Sequence, residues 1–163
     1  YLTLDSDSAQ TSDTDYFPAS PATATTMTLG TSISSGVTSH VALFTGVEGH
    51  SKFGKYTGNG STSGAGPMVY LGFEPALLMI KRIDSSNNWV IVDGKRNPSN
   101  TVNLTLQADS SSSEAGSSDT YLDFISTGFK VRNTSTANWL NASSGSYIYA
   151  AFAESPFSKA NAR

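Results

Sequence analysis

The sequence predicts an all-β fold, an antiparallel β-sandwich of jelly-roll type, and three observations carry that prediction. Apolar residues recur with period two in short stretches, clusters of Gly, Ser, Asn, Asp and Pro separate those stretches, and helical periodicity is nearly absent. The 163 residues are enough to bury a core without disulfides. No cysteine is present, which removes zinc-thiolate sites, iron-sulfur clusters and thiol nucleophiles together.

Taken in order, the clearest strands cover residues 76–83, 88–93, 102–108, 121–126, 129–133 and 147–154. The first, "ALLMIKRI", is followed by the polar "DSSNN", a loop suited to a hairpin with the second, "NWVIVD". In that second strand Trp89 and Ile91 point one way with Asp93, and Val90 and Val92 the other. Both faces are apolar, which predicts a central strand with Trp89 in the core. The third, "VNLTLQA", leads into the serine-rich "ADSSSSEAGSSD", which reads as an exposed loop, as does "NGSTSGAG" from Asn59. In the 129–133 strand Phe129 and Val131 share one face and Lys130 and Arg132 the other, as expected where one face meets water.

One segment is written twice. "SHVALFTGVEGHSKFG" from Ser39 parallels "SYIYAAFAESPFSKAN" from Ser146, and the likeness extends upstream. "YLTLDSDSAQTSDTDY" from Tyr1 parallels "NLTLQADSSSSEAGSSDTY" from Asn103, and "TMTLGTSISSGVTSHVALF" from Thr26 parallels "GFKVRNTSTANWLNASSGSYIYAAF" from Gly128. Residues 1–51 therefore read as the C-terminal half of a degenerate upstream repeat, and residues 52–163 as one complete β-sandwich repeat. A half-unit leaves strand edges to be completed by its neighbour, by upstream residues or by another chain, which suits an elongated fibre. The missing initiator Met points to a piece, or a processed form, of something longer.

The run "SKFGKYTGNG", with "PALLMIKR", "NWVIVD", "STGFK" and the closing "YIYAAFAE", resembles a repeat domain of bacteriophage tail fibres and tail spikes, of the type found in phages of marine bacteria and cyanobacteria. The resemblance covers residues 52–157. It implies an adhesin-like C-terminal unit of a viral tail, exposed outside the cell on the virion. It further implies a homotrimer that contacts other tail proteins and a glycan or protein receptor on the host surface. It carries no recognised catalytic residues.

Composition narrows the alternatives. Charged residues make up only 14% and the net charge is −3, with basic residues scattered apart from Lys81-Arg82 and Lys95-Arg96, so no nucleic-acid footprint is present. No apolar run approaches the roughly 18 residues of a membrane span, so no membrane insertion is expected.

Candidate chemistry is sparse. Glycoside hydrolysis needs two facing carboxylates, and among Glu74, Asp84, Asp93, Glu114, Asp119, Asp123 and Glu154 the pair Asp93 and Asp123 lies best, among strand apolar residues. A strand-end Asp more commonly bonds backbone or a neighbour such as Lys95 or Arg96, so no catalytic residue is assigned. The histidines, His40 and His50, both fall in the half-unit and align with Tyr147 and Phe157, as packing positions do. Asp5, Asp7, Asp13 and Asp15 lack the Gly and Glu of an EF-hand, and "GNGSTSGAG" lacks the Lys-Ser/Thr of a phosphate loop, so no metal or cofactor is expected. Four Asn-x-Ser/Thr sequons, at Asn59, Asn103, Asn133 and Asn141, accord with chance in so Asn- and Ser-rich a chain.

Sugar recognition is the chemistry that these residue types suit, because an aromatic face stacks on a sugar ring while amides and hydroxyls pair with its hydroxyls. The ligand-binding candidates are Trp139, Asn138, Asn141 and Ser143 in one loop, and Tyr56 with Asn59 in another. The expected function is a non-enzymatic structural and host-recognition module. A surface-polysaccharide depolymerase and a purely structural virion or filament protein are the alternatives.

Overall fold

The computed structural model describes residues 1–12, 15, 23, 26–34, 42–116, 120–134 and 139–155. It is all-β with antiparallel sheets. Its strands are β1 (Ser51–Thr57), β2 (Met68–Tyr70), β3 (Leu77–Arg82), β4 (Val90–Asp93), β5 (Leu104–Thr105), β6 (Ala115–Gly116), β7 (Leu122–Ile125), β8 (Gly128–Val131) and β9 (Ser146–Phe152). One helical turn, α1 (Thr31–Ser34), precedes them. Among the described residues no strand lies before Ser51, and the stretch expected to be a half-unit enters a ladder only at the Val47–Ser51 bridge.

β1-β9-β3-β4 form a four-stranded sheet, β2-β8-β7 a three-stranded sheet, and β5-β6 a short ribbon. The registers fix which side chains face inward. Tyr147, Tyr149 and Ala151 of β9 lie level with Arg82, Ile80 and Leu78 of β3, and Leu78 and Ile80 in turn lie level with Val92 and Val90 of β4. Apart from Arg82 all of these are buried, and they share one core with Val69, Leu122, Phe124, Phe129 and Val131 from the three-stranded sheet. Edge-on aromatic contacts join the two sheets: Phe129 meets Tyr149 with centroids 5.6 Å apart and Tyr56 at 6.0 Å. Lys130 and Arg132 lie on the wetter face, as the alternation requires.

Residues 102–106 stitch the sheets along one side. Leu106 bridges Ile91 of β4, and Val102 bridges Leu122 of β7. β4 was expected to be central; in the four-stranded sheet it is the last strand, and the 102–106 segment continues beyond its edge only through the Ile91–Leu106 bridge. On the other side Lys52 of β1 donates to the Tyr70 carbonyl of β2 at 2.9 Å and lies over the Tyr70 ring.

The N-terminal segment straps the β3–β4 hairpin. Gln10 N–H donates to the Ile83 carbonyl, Asn87 N–H donates to the Asp7 carbonyl, and Trp89 Nε1 donates to the Thr3 carbonyl. Trp89, expected in the core, is thus half-buried under this strap. Lys81 stands beneath the strap at 0% exposure, donating to the Asp7 and Asn87 carbonyls at 2.9 and 2.6 Å. Burial lowers its pKa, against the opposing pull of Asp109 and Asp7.

Candidate functional site

The β1–β9 ladder pairs Thr57 with Ser146, which brings the loops that follow β1 and precede β9 to one end of the sheets. The two candidate loops, more than eighty positions apart in sequence, thereby become one surface. Gly58 N–H donates to the Gly145 carbonyl and Ser144 N–H to the Gly58 carbonyl, clasping their bases. A Cβ at Gly58 would fall 2.2 Å from the Ala142 carbonyl oxygen, so only glycine permits this approach.

The candidate residues meet there. Asn141, 3% exposed, accepts from Asn59 N–H at 2.8 Å and donates through Nδ2 to Asn59 Oδ1 at 2.9 Å and to the Ser61 carbonyl at 3.0 Å. Asn59 spends its remaining amide group on the Ala65 carbonyl and also accepts from Ser61 N–H. Tyr56 donates to the Leu140 carbonyl at 2.9 Å and stacks on Tyr147 at 4.9 Å between centroids. Burial, with Tyr147 beside it, pushes the Tyr56 hydroxyl well above its ordinary pKa, so it stays a donor. The Tyr147 hydroxyl accepts from Ala142 N–H. "YTGNG" is thus a mating surface: Tyr56, Gly58 and Asn59 each engage residues 140–142, and Gly60, at φ +71°, turns the chain against Ser143.

The six candidates divide accordingly. Tyr56, Asn59 and Asn141 come together, but their polar groups are consumed in bracing the loops. Trp139 is half-buried, with part of its side chain packed against the core. Ser143 and Ser144 are exposed, as are Thr62 and Ser63 of the other loop. Asn138 lies outside the described residues.

A family model described as "Domain of unknown function (DUF7483)" matches residues 1–156. The chain belongs to that family. The DUF7483 match takes in both the 1–51 segment and most of the 52–163 unit. No curated protein and no solved structure matches the chain.

Of the carboxylates of this DUF7483 chain that were weighed for hydrolysis, Asp84, Asp93, Glu114 and Asp123 are tied to arginines and Glu154 pairs with Lys95, while Asp119 lies outside the described residues. Asp93 accepts from Lys95 N–H, Arg96 N–H and Arg96 Nε; burial would raise its pKa, but the Arg96 bonds and charge hold it below the ordinary value. Asp123 accepts from Arg132 Nε at 2.6 Å. Asp84 accepts from Arg82 Nε and from Ser146 N–H, which hold its pKa down. His40 and Asp13 lie outside the described residues, and among the described residues no His, Cys, Asp or Glu cluster could hold a metal ion.

Proposed function

We propose that this chain is a non-enzymatic recognition module of adhesin type, a β-sandwich that presents the joined 58–66 and 139–145 loops to a ligand on a cell surface. The observation that carries the reading is the bracing of those loops. Asn141, Asn59, Tyr56 and Gly58 lock the serine- and glycine-rich 58–66 segment against the largely buried 139–145 segment, leaving Thr62, Ser63, Ser143 and Ser144 exposed as short hydroxyl side chains on a fixed backbone. A pre-ordered polar rim loses little conformational entropy on binding, which is what a recognition surface made of small residues requires. The pairing of Asp93 with Arg96 and of Asp123 with Arg132 supports the non-enzymatic part, because a general acid or nucleophile must be free to meet substrate.

On the resemblance of its motifs to phage tail-fibre repeats, we place the module in a virion tail, as a homotrimer whose receptor is a host-surface glycan or protein. The exposed Leu43 and Phe44, at 74% and 72%, with Phe44 reaching Phe53 at 6.1 Å and Phe53 reaching Phe152 at 5.6 Å, give an apolar stripe of the kind that subunits cover. The test is binding of fluorescent chain to a panel of bacterial cells. Ser143→Arg, which blocks the rim without touching the core, should cut binding at least tenfold with the melting temperature unchanged. Equal binding by Ser143→Arg and the parent chain overturns the loop assignment.

A further inference from the structure

β1 is an edge strand of the four-stranded sheet, and one side of its backbone is unused. At the two ends of the β1–β9 ladder Ala153 N–H donates to the His50 carbonyl and Gly58 N–H donates to the Gly145 carbonyl. Bonded and non-bonded pairs alternate along an antiparallel ladder, so Lys52, Gly54 and Tyr56 spend their peptide groups on β9 while Phe53, Lys55 and Thr57 turn theirs to the open edge. Among the described residues nothing bonds those outward N–H and carbonyl groups. Of the two lysines on β1, Lys52 is drawn inward to the Tyr70 carbonyl, and Lys55 alone guards the edge. A proline-free edge of this length is a template for another strand.

The segment just upstream has the sequence of such a strand and no ladder. In the internal repeat "ALFT" from Ala42 falls opposite Tyr149 to Phe152, part of β9, the strand that already pairs with β1 on its other side. Val47 N–H donates to the Ser51 carbonyl at 3.0 Å and Ser51 N–H to the Val47 carbonyl at 2.9 Å, which starts a hairpin whose next rungs would join Thr45 to Phe53 and Leu43 to Lys55. The chain leaves the edge instead. Ala42 to Gly46 are exposed and lie in no strand, Thr45 accepts from the Ser51 hydroxyl, and among the described residues no hydrogen bond reaches Ala42, Leu43 or Phe44. Leu43 and Phe44 stand in water beside the vacant edge, with Phe44 against Phe53. Two unpaired rows of peptide groups that do not meet within one chain are both satisfied when each chain lends its segment to the next.

We infer that residues 42–46 of one copy add as a strand to the β1 edge of a second copy, so that strand exchange joins the subunits. Each copy gives one segment and receives one, a heterologous contact that a three-fold ring closes. The inference rests on the trimer proposed above and supplies its joint. Because the chain has no cysteine, single exposed substitutions test it. Chains carrying Leu43→Cys are co-expressed with differently tagged chains carrying Lys55→Cys and oxidised; the control replaces Lys55→Cys by Ser112→Cys, in the exposed loop beside β4 at the opposite edge of the sheet. Disulfides between the two tagged chains should form at least tenfold more with Lys55→Cys than with the control. Thr45→Pro, which removes an N–H that the added strand needs and that no bond within the chain uses, should weaken assembly at least tenfold by sedimentation with the circular dichroism unchanged. A parent trimer with no cross-link above the control, or one indifferent to Thr45→Pro, overturns strand exchange and leaves the assembly standing. A disulfide formed within a monomer, when Leu43→Cys and Lys55→Cys share one chain, would mean that the segment closes on its own β1 and overturns both.

Discussion

Asn141→Ala tests whether the loop surface is held by one buried amide. The side chain makes three hydrogen bonds, to Asn59 N–H, Asn59 Oδ1 and the Ser61 carbonyl. Each is worth about 0.5–1.5 kcal/mol net, and the partners abandoned on the Asn59 side can be partly rehydrated because Asn59 is exposed. The expected loss is about 2–4 kcal/mol, which for a chain of this size lowers the melting temperature by roughly 5–15 °C. Chemical denaturation of Asn141→Ala, Asn59→Ala and the double variant closes a thermodynamic cycle. A coupling energy of about 0.5–1.5 kcal/mol is expected, because one bond, from Asn141 Nδ2 to Asn59 Oδ1, is lost with either side chain, whereas the Asn59 backbone N–H stays in both single variants. An Asn141→Ala loss below about 0.5 kcal/mol, together with a coupling indistinguishable from zero, would refute the bracing argument.

Three further outcomes follow from the same geometry. Asp93 has a folded pKa below its unfolded value, so its stabilisation is present above about pH 4 and is lost as pH falls through the folded value; Asp93→Asn should cost about 1 kcal/mol at pH 7 and converge with the parent chain once the pH is below that folded value, read by urea denaturation at each pH. Lys81→Met removes two charged hydrogen bonds under the N-terminal strap, so amide exchange at Gln10 should quicken about tenfold while β9 amides keep their protection. Sedimentation equilibrium should give a trimer for the parent chain and a monomer for Phe44→Glu, and a parent chain that stays monomeric across the micromolar range would count against the assembly.

Strands whose inward residues are all apolar were legible in the sequence. β3, β4 and β7 lie within the expected spans, β8 and β9 each begin one residue before theirs, and Val90 with Val92 faces the core as the alternation required. β1 was missed for a physical reason: its inward set is Lys52, Gly54 and Tyr56 while Phe53 points outward, so the period-two signal is inverted at an edge strand. β2 and β6, of three and two residues, are too short to show a period. The 102–108 stretch shows the limit of alternation. Only Leu104–Thr105 forms a strand there, because Val102 and Leu106 are drawn to different sheets. For the site, residue types marked both loops, but nothing local distinguishes an Asn that reads a ligand from one that braces a neighbour. That distinction rests on the β1–β9 register, which buries Asn141 against Asn59 from a distance the chain pattern does not display.

The most direct measurement is binding and turnover in one vessel: the chain incubated with polysaccharide from a bacterial strain that retains it, with bound protein and new reducing ends followed together. Saturable, stoichiometric retention that Ser143→Arg weakens, with reducing ends flat over hours, is the expected result for a recognition module. Reducing ends that accumulate in proportion to enzyme and time, and that Asp93→Asn or Asp123→Asn abolishes, would contradict it.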